Sequence, residues 1–166
     1  MTFKVIRPAV ALLSAAAMLA VLAGANPAVA AGSDGSSGDS SASALQIQDE
    51  IRAAQKFINS RRYSSAIQTL RAVVKQDTQN ADAYNLLGFA SRKLEKTEDA
   101  AKYYEAALEI KPDHLGALEY QGELFLMIDE PAKANANLEK LLELCGMDCH
   151  EYLDLKADIA DFQGSS

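Results

Sequence analysis

A spacing of 34 residues limits what this chain can fold into more than any other feature. Ala66, Ala100 and Ala134 stand in that register. Each is followed four residues later by a large side chain (Leu70, Tyr104, Leu138) and three residues after that by Val73, Ala107 or Leu141. Upstream of each, small residues return as Ala54, Gly88 and Gly122, and a breaker closes each unit at Thr78, Pro112 or Gly146. Steps of three and four place such residues on one helix face. Each unit therefore predicts two short amphipathic helices, joined in the middle unit by a turn at Leu94–Lys96. A helix pair of this size cannot bury its apolar face alone, so the pairs must stack.

The middle unit, Ala81–His114, is the most regular. Tyr84, Leu87–Gly88, Ala100, Tyr104, Ala107 and Pro112 stand where the tetratricopeptide repeat has its first aromatic, Leu-Gly pair, small residue, second aromatic, Ala and Pro. The chain resembles that family over Ile47–Asp148, as repeats 47–80, 81–114 and 115–148 without an insertion. Glu50 and Gln121 depart from the pattern in the outer repeats, where one face meets water. The resemblance implies an all-α fold: a right-handed α-solenoid of three tetratricopeptide helix pairs plus a C-terminal capping helix. Outer-repeat helices are expected near Gln46–Ser60, Tyr63–Lys75, Leu115–Ile128 and Pro131–Leu144. The cap is expected at Cys149–Phe162, with Tyr152, Leu155, Ile159 and Phe162 inward and Asp154, Lys156, Asp158 and Asp161 toward water. Residues 163–166 are left as a tail.

The first thirty residues follow a different plan. Lys4 and Arg7 precede an almost wholly apolar run over Ala9–Ala23, and Ala28-Val29-Ala30 follows Pro27. That order predicts a secretory signal peptide cleaved after Ala30. An uncleaved anchor is the alternative, although the run is shorter than the roughly 20 residues a span requires. The expected location is periplasmic or secreted, with no stable membrane insertion after cleavage. Lys4 and Arg7 are the only charges in this stretch, so cleavage takes the net charge from −7 to −9. Such acidity argues against nucleic acid or an anionic membrane as partner. Ala31–Ala44 is rich in Gly and Ser, without aromatic residues or apolar periodicity, and predicts a flexible tether. The folded domain is expected over Leu45–Phe162.

No catalytic constellation is visible. His114 and His150 fall at helix starts without a matched nucleophile, and the glycines form no phosphate loop. No enzyme and no cofactor are expected. A groove is the better candidate. At 100° per residue, the face of the first helix opposite its packing stripe holds Asp82, Asn85, Phe89, Arg92 and Lys93. The equivalents before it are Gln48, Ile51, Gln55, Ile58 and Asn59; those after it are Gly116, Glu119, Glu123, Leu126 and Met127. The resemblance implies that this face lines a concave surface holding a peptide or partner protein. Phe89 and Arg92 are both expected to reach a ligand; the alternative for Phe89 and Leu126 is packing against neighbouring helices. Glu119 and Glu123 stand where a chaperone-tail clamp would want cations, so the expected ligand has a basic group near them and an acidic one near Arg92 and Lys93.

Cys145-Gly-Met-Asp-Cys149-His150 permits three readings. A structural disulfide tying the last repeat to its cap suits an oxidising compartment. A soft-ligand copper or redox site using Cys145, Cys149, Met147 and His150 is the second. A displaced covalent haem motif is the third. Two function classes follow: an exported interaction scaffold, or a periplasmic copper or redox accessory protein.

Overall fold

A computed structural model describes the backbone of residues 37–164 and the side chains from residue 43 onward. The expected signal peptide, its cleavage site and the tether up to residue 36 lie outside the described residues, as do 165–166. Among the described residues there are seven α-helices and no strand. They are α1 (Ser37–Asn59), α2 (Tyr63–Gln76), α3 (Ala81–Arg92), α4 (Thr97–Ile110), α5 (Leu115–Met127), α6 (Pro131–Cys145) and α7 (His150–Gly164). None is long and apolar enough to cross a membrane. The helices pair as α1–α2, α3–α4 and α5–α6, and α7 packs on α5 and α6. This is an all-α tetratricopeptide-type solenoid.

The small residues of the 34-residue pattern sit where helices approach closely. Ala54, Ala66, Ala100 and Ala134 are completely buried. A Cβ added to Gly88 would lie 2.5 Å from the Tyr104 ring, and one added to Gly122 would lie 2.6 Å from Leu155. Around the alanines, Leu70, Val73, Tyr104, Ala107 and Leu141 close the core. Leu118, Ala134 and Leu141 continue into Tyr152, Leu155 and Ile159 of α7, so the final helix covers the end of the stack.

The turns within the pairs are as regular as the helices, by a device the sequence does not announce. Arg61, Glu95 and Asp129 all take the left-handed conformation, with φ of 57°, 58° and 61°. They recur at the repeat spacing. After each, the chain closes the helix end with one long-range bond: Arg62 N–H to Phe57 O (2.8 Å), Lys96 N–H to Ser91 O (3.0 Å) and Glu130 N–H to Phe125 O (2.8 Å).

Two boundaries differ from expectation. The tether expected over Ala31–Ala44 is helical from Ser37, so α1 begins well before Gln46. Once α1 is nucleated by its packed half, each further Ser or Ala costs little to add, and no Pro interrupts the run. At the other end α7 starts at His150 and runs to Gly164, past the expected limit at Phe162. Between α6 and α7, Gly146 takes φ of 83° and the chain reverses. Cys145 and Cys149 are joined there by a disulfide, their Cα atoms 5.8 Å apart. Both sulfurs are consumed by the bridge, so neither is available as a thiolate, and the copper and haem readings find no support in this arrangement.

Two outcomes follow from this packing. Gly88→Ala must push Tyr104 aside and should cost about 1–3 kcal/mol in chemical denaturation, whereas Glu105→Ala on the exposed side of α4 should stay within about 0.5 kcal/mol. Equal effects would contradict the close approach at Gly88. Replacing Cys145 and Cys149 together by Ser should speed amide exchange in α7 while α3 remains protected, because the short loop constrains only the cap. Uniform loss of protection would show that the bridge holds the whole domain.

Candidate functional site

The first helices of the repeats, α1, α3 and α5, lie side by side, and α7 extends the row past α5. Three hollows follow one another along them. The first, of about 320 Å³, lies between α1 and α3 and is walled by Gln48, Ile51, Gln55, Asp82, Asn85 and Leu86. The second, about 370 Å³, continues from Gln55 and Leu86 to Ile58, Asn59, Phe89 and Tyr120. The third, about 310 Å³, is closed by α7: Arg92, Glu123, Leu126, Met127, Asp158 and Phe162. Another hollow, about 430 Å³, lies between α2 and α4 around Arg71, Lys75 and Asp99, away from this row.

Twelve sequence-predicted residues thus line this row of hollows: Gln48, Ile51, Gln55, Ile58, Asn59, Asp82, Asn85, Phe89, Arg92, Glu123, Leu126 and Met127. Their exposure is uneven. Gln55, Asn59, Asp82 and Met127 are open, while Ile51 belongs to the core of the first repeat and shows only an edge. Lys93 stands exposed beside the groove with its ammonium 5.2 Å from the Phe89 ring centre. Phe89 is half-buried, 5.0 Å from the Tyr120 ring and 6.4 Å from that of Tyr63, so it packs and lines the groove at once.

Arg92 and Glu119 depart most from expectation. Arg92 is 4% exposed. Its Nη1 pairs with the Glu123 carboxylate, and its Nε donates to the Tyr104 hydroxyl at 3.4 Å. Its guanidinium also lies 5.6 Å from the Phe89 ring centre and 5.8 Å from that of Tyr120. Arg92 is therefore a bolt joining α3, α4 and α5 rather than an open arm for an acidic ligand. Counting helix faces missed this because a first helix is covered by its own partner and also by the first helix of the next repeat. Glu119, 7% exposed, is enclosed for the same reason. Asp82 reaches His114, whose Nε2 lies 3.0 Å from its carboxylate; His114 Nδ1 accepts the Ala117 N–H and caps α5.

Leu86, Tyr120, Asp158 and Phe162 also line the groove and were not anticipated. Leu86 and Tyr120 had a legible signal, since they are one repeat apart and each follows a predicted groove residue. Asp158 and Phe162 were placed on the cap, toward water and core respectively.

Asn85 Oδ1 and Arg92 Nη2 have no hydrogen-bond partner among the described residues; both atoms are sealed from solvent, although their residues wall the first and third hollows.

The α5 carboxylates have an electrostatic consequence. Burial, and then the charges of Glu123, Asp154 and Glu151, push the Glu119 carboxyl well above the ordinary glutamate range, to about 8, with Arg92 opposing. Burial, followed by Glu119 and Glu123, also raises the Tyr120 hydroxyl. Below the ordinary glutamate range both folded and unfolded chains hold the Glu119 proton, and stability from this group is complete. As pH rises toward about 8 the unfolded chain has released a proton that the folded chain keeps, so that stability is lost. Melting temperature should therefore fall across this window, and Glu119→Gln should flatten the slope and melt several degrees above the parent at about pH 9. Identical profiles would show that the carboxyl ionises freely.

Comparison with known proteins agrees with this geometry. The tetratricopeptide repeat profile matches residues 51–114 and 90–144, together more than half of the chain. The human Superkiller complex protein 3 is 30% identical over 80 residues, covering 48% of this chain and 5% of that protein. Tetratricopeptide repeat protein 37 of Xenopus laevis is 27% identical over 85 residues, covering 51% of this chain and 5% of that protein. The chain thus spans about a twentieth of the length of these relatives. Among solved structures, the first tetratricopeptide domain of Spaghetti (RPAP3) bound to an HSP90 peptide superposes with a TM-score of 0.65 at 16% identity, covering 73% of this chain and 93% of that one. The Yersinia enterocolitica type III secretion chaperone SycD, in complex with a peptide of the translocator YopD, gives 0.62 at 17% identity, covering 72% and 91%. At such identity these two speak for the fold alone. The profile match and the repeat register carry the assignment: the chain belongs to the tetratricopeptide repeat family.

Proposed function

We propose that this chain is an exported protein-interaction scaffold that holds a segment of a partner in the groove along α1, α3, α5 and α7. The observation that carries this reading is the middle hollow, in which half-buried Ile58, Leu86, Phe89 and Tyr120 stand beside the open amides of Gln55 and Asn59. Asn85 and Arg92 lie two turns apart on α3, about 10 Å along its axis, which is the reach of about three residues of extended chain. A peptide laid over α3 can reach from the first hollow, walled by Asn85, to the third, walled by Arg92. Its side chains then meet Phe89, Tyr120 and Ile58 in the middle hollow, and the Gln55 and Asn59 amides stand beside it. That two structures of the same fold hold peptides supports the reading. An amide and a guanidinium are groups for binding, so the proposal involves no catalysis.

Export rests on Lys4, Arg7, the apolar run to Ala23 and Ala28-Val29-Ala30. Protein expressed in a bacterium and released from its periplasm should begin at Ala31; a retained Met1 would refute cleavage. For the groove, peptides selected from a random display library on the mature chain should lose about tenfold in affinity on Asn85→Ala, since one hydrogen bond to a buried group contributes about 1–1.5 kcal/mol. The melting temperature should barely change, because that oxygen accepts no hydrogen bond from the described residues. Failure to enrich any peptide, or affinity unaltered by both Asn85→Ala and Phe89→Ala, would overturn the groove assignment.

A further inference from the structure

The α5–α7 end of the groove carries a charge pattern that a general scaffold does not require. Along α7, Glu151, Asp154, Asp158 and Asp161 recur at helical spacing, each one position ahead of Tyr152, Leu155, Ile159 and Phe162. Tyr152, Leu155 and Ile159 are buried against α5 and α6, so the acidic stripe runs along the flank of that contact. At least one of its members turns into the groove, since Asp158 walls the third hollow together with Glu123. From the other side α5 contributes Glu119 and Glu123, one turn apart.

Glu119 is the telling member. It is 7% exposed and makes no hydrogen bond or ion pair with the described residues, while the charges of Glu123, Asp154 and Glu151 all act on it. Burying a carboxyl among other carboxyls with no partner is costly. The cations nearby do not balance the group. Arg92 is already held by Glu123 and Tyr104; Lys93 acts on Asp158 from outside; His150 Nδ1 lies 3.0 Å from Asp154 but is largely exposed. Five carboxylates and the Glu119 carboxyl, which keeps its proton near neutral pH, thus stand on α5 and α7 with two full cations nearby, one of them committed.

The surroundings also select the form of the missing cation. No three His, Cys, Asp or Glu groups among the described residues are placed to hold a metal ion. The third hollow instead offers Leu126, Met127 and Phe162 beside Glu123 and Asp158, an apolar slot with acid at its rim. That is the environment a lysine or arginine side chain needs, with its aliphatic stem covered and its head near carboxylates.

We propose that the α5–α7 end of the groove receives a lysine- or arginine-bearing segment of the partner, its cation among Glu119, Asp154 and Asp158 and its stem on Leu126 and Met127. This rests on the groove reading and adds the chemistry of the occupant. The test is fluorescence anisotropy of the mature chain with three short labelled peptides that alternate Leu with Lys, with Gln or with Glu. The Leu-Lys peptide should bind at least about tenfold tighter than Leu-Gln, with Leu-Glu weakest, and the preference should fade as salt is added. Asp154→Asn with Asp158→Asn should abolish the preference. Glu105→Gln with Glu109→Gln, the same charge change on the exposed side of α4, should preserve it. Equal loss in both double variants would reduce the effect to general acidity and overturn the proposal. Equal binding of Leu-Lys and Leu-Gln, lost on Asn85→Ala, would discard the basic partner and leave the groove standing.

Discussion

The seating of a neighbouring helix's side chain on the bare backbone at Gly88 and Gly122 is the contact on which the other features depend. At Gly88 the Tyr104 ring occupies the space of a missing side chain, which holds the second helix of the pair flat against the first. At Gly122 the same space is taken by Leu155, a residue of the cap. The cap helix is therefore seated in a slot of the α5–α6 pair through α5 itself, not merely laid over an exposed apolar end. Seated there, α7 lengthens the row of first helices and gives the groove its end wall. A larger residue at 122 would displace that wall.

Arg92 shows how the groove acquires its charge. A buried ion pair contributes little net stability, since desolvating both partners roughly offsets their attraction, but removing one partner leaves a stranded charge. The Arg92–Glu123 pair ties α3 to α5, and the Tyr104 hydroxyl brings α4 into the same knot. In doing so it commits the Arg92 guanidinium to the protein itself. What remains open toward α7 is acid: Asp158 beside the hollow, Asp154 and Glu151 around Glu119. The groove's polarity is thus a by-product of how its helices are bolted together.

How much of this was legible in the sequence follows from which interactions are local. The order of the helices, the small-residue positions and the capping role of α7 all derive from periodicity, and the helices and their packing bear them out, although α1 and α7 run past their expected limits. His114 as a cap was readable from its place before Leu115, and the structure adds the Asp82 contact that orients its ring. The left-handed turn residues Arg61, Glu95 and Asp129 were illegible because such positions advertise themselves only when Gly or Asn fills them. Here the five-residue hydrogen bond that closes each helix end offsets a strain of about 1–2 kcal/mol, so almost any polar residue suffices. The depth of Arg92, Glu119 and Ile51 was illegible for a different reason. A helical wheel assigns one buried face per helix, whereas α3 and α5 have neighbours on three sides and even α1 packs on both α2 and α3.

The cap illustrates the same limit most sharply. Read alone, α7 has one apolar stripe and one acidic stripe, and the acidic one belongs in water. Only the neighbour decides otherwise. Because Leu155 must enter the space above Gly122, the helix is fixed in rotation about its own axis, and the flank one residue ahead of the apolar stripe is turned toward α5. The disulfide between Cys145 and Cys149 then fixes where α7 begins, just one residue before His150, so neither its start nor its rotation is free. Two local constraints, one steric and one covalent, bring Asp158 to the third hollow and Asp154 and Glu151 within electrostatic reach of Glu119. An acidic stripe meant only to keep a cap soluble needs neither constraint, and it would not be laid against the buried Glu119.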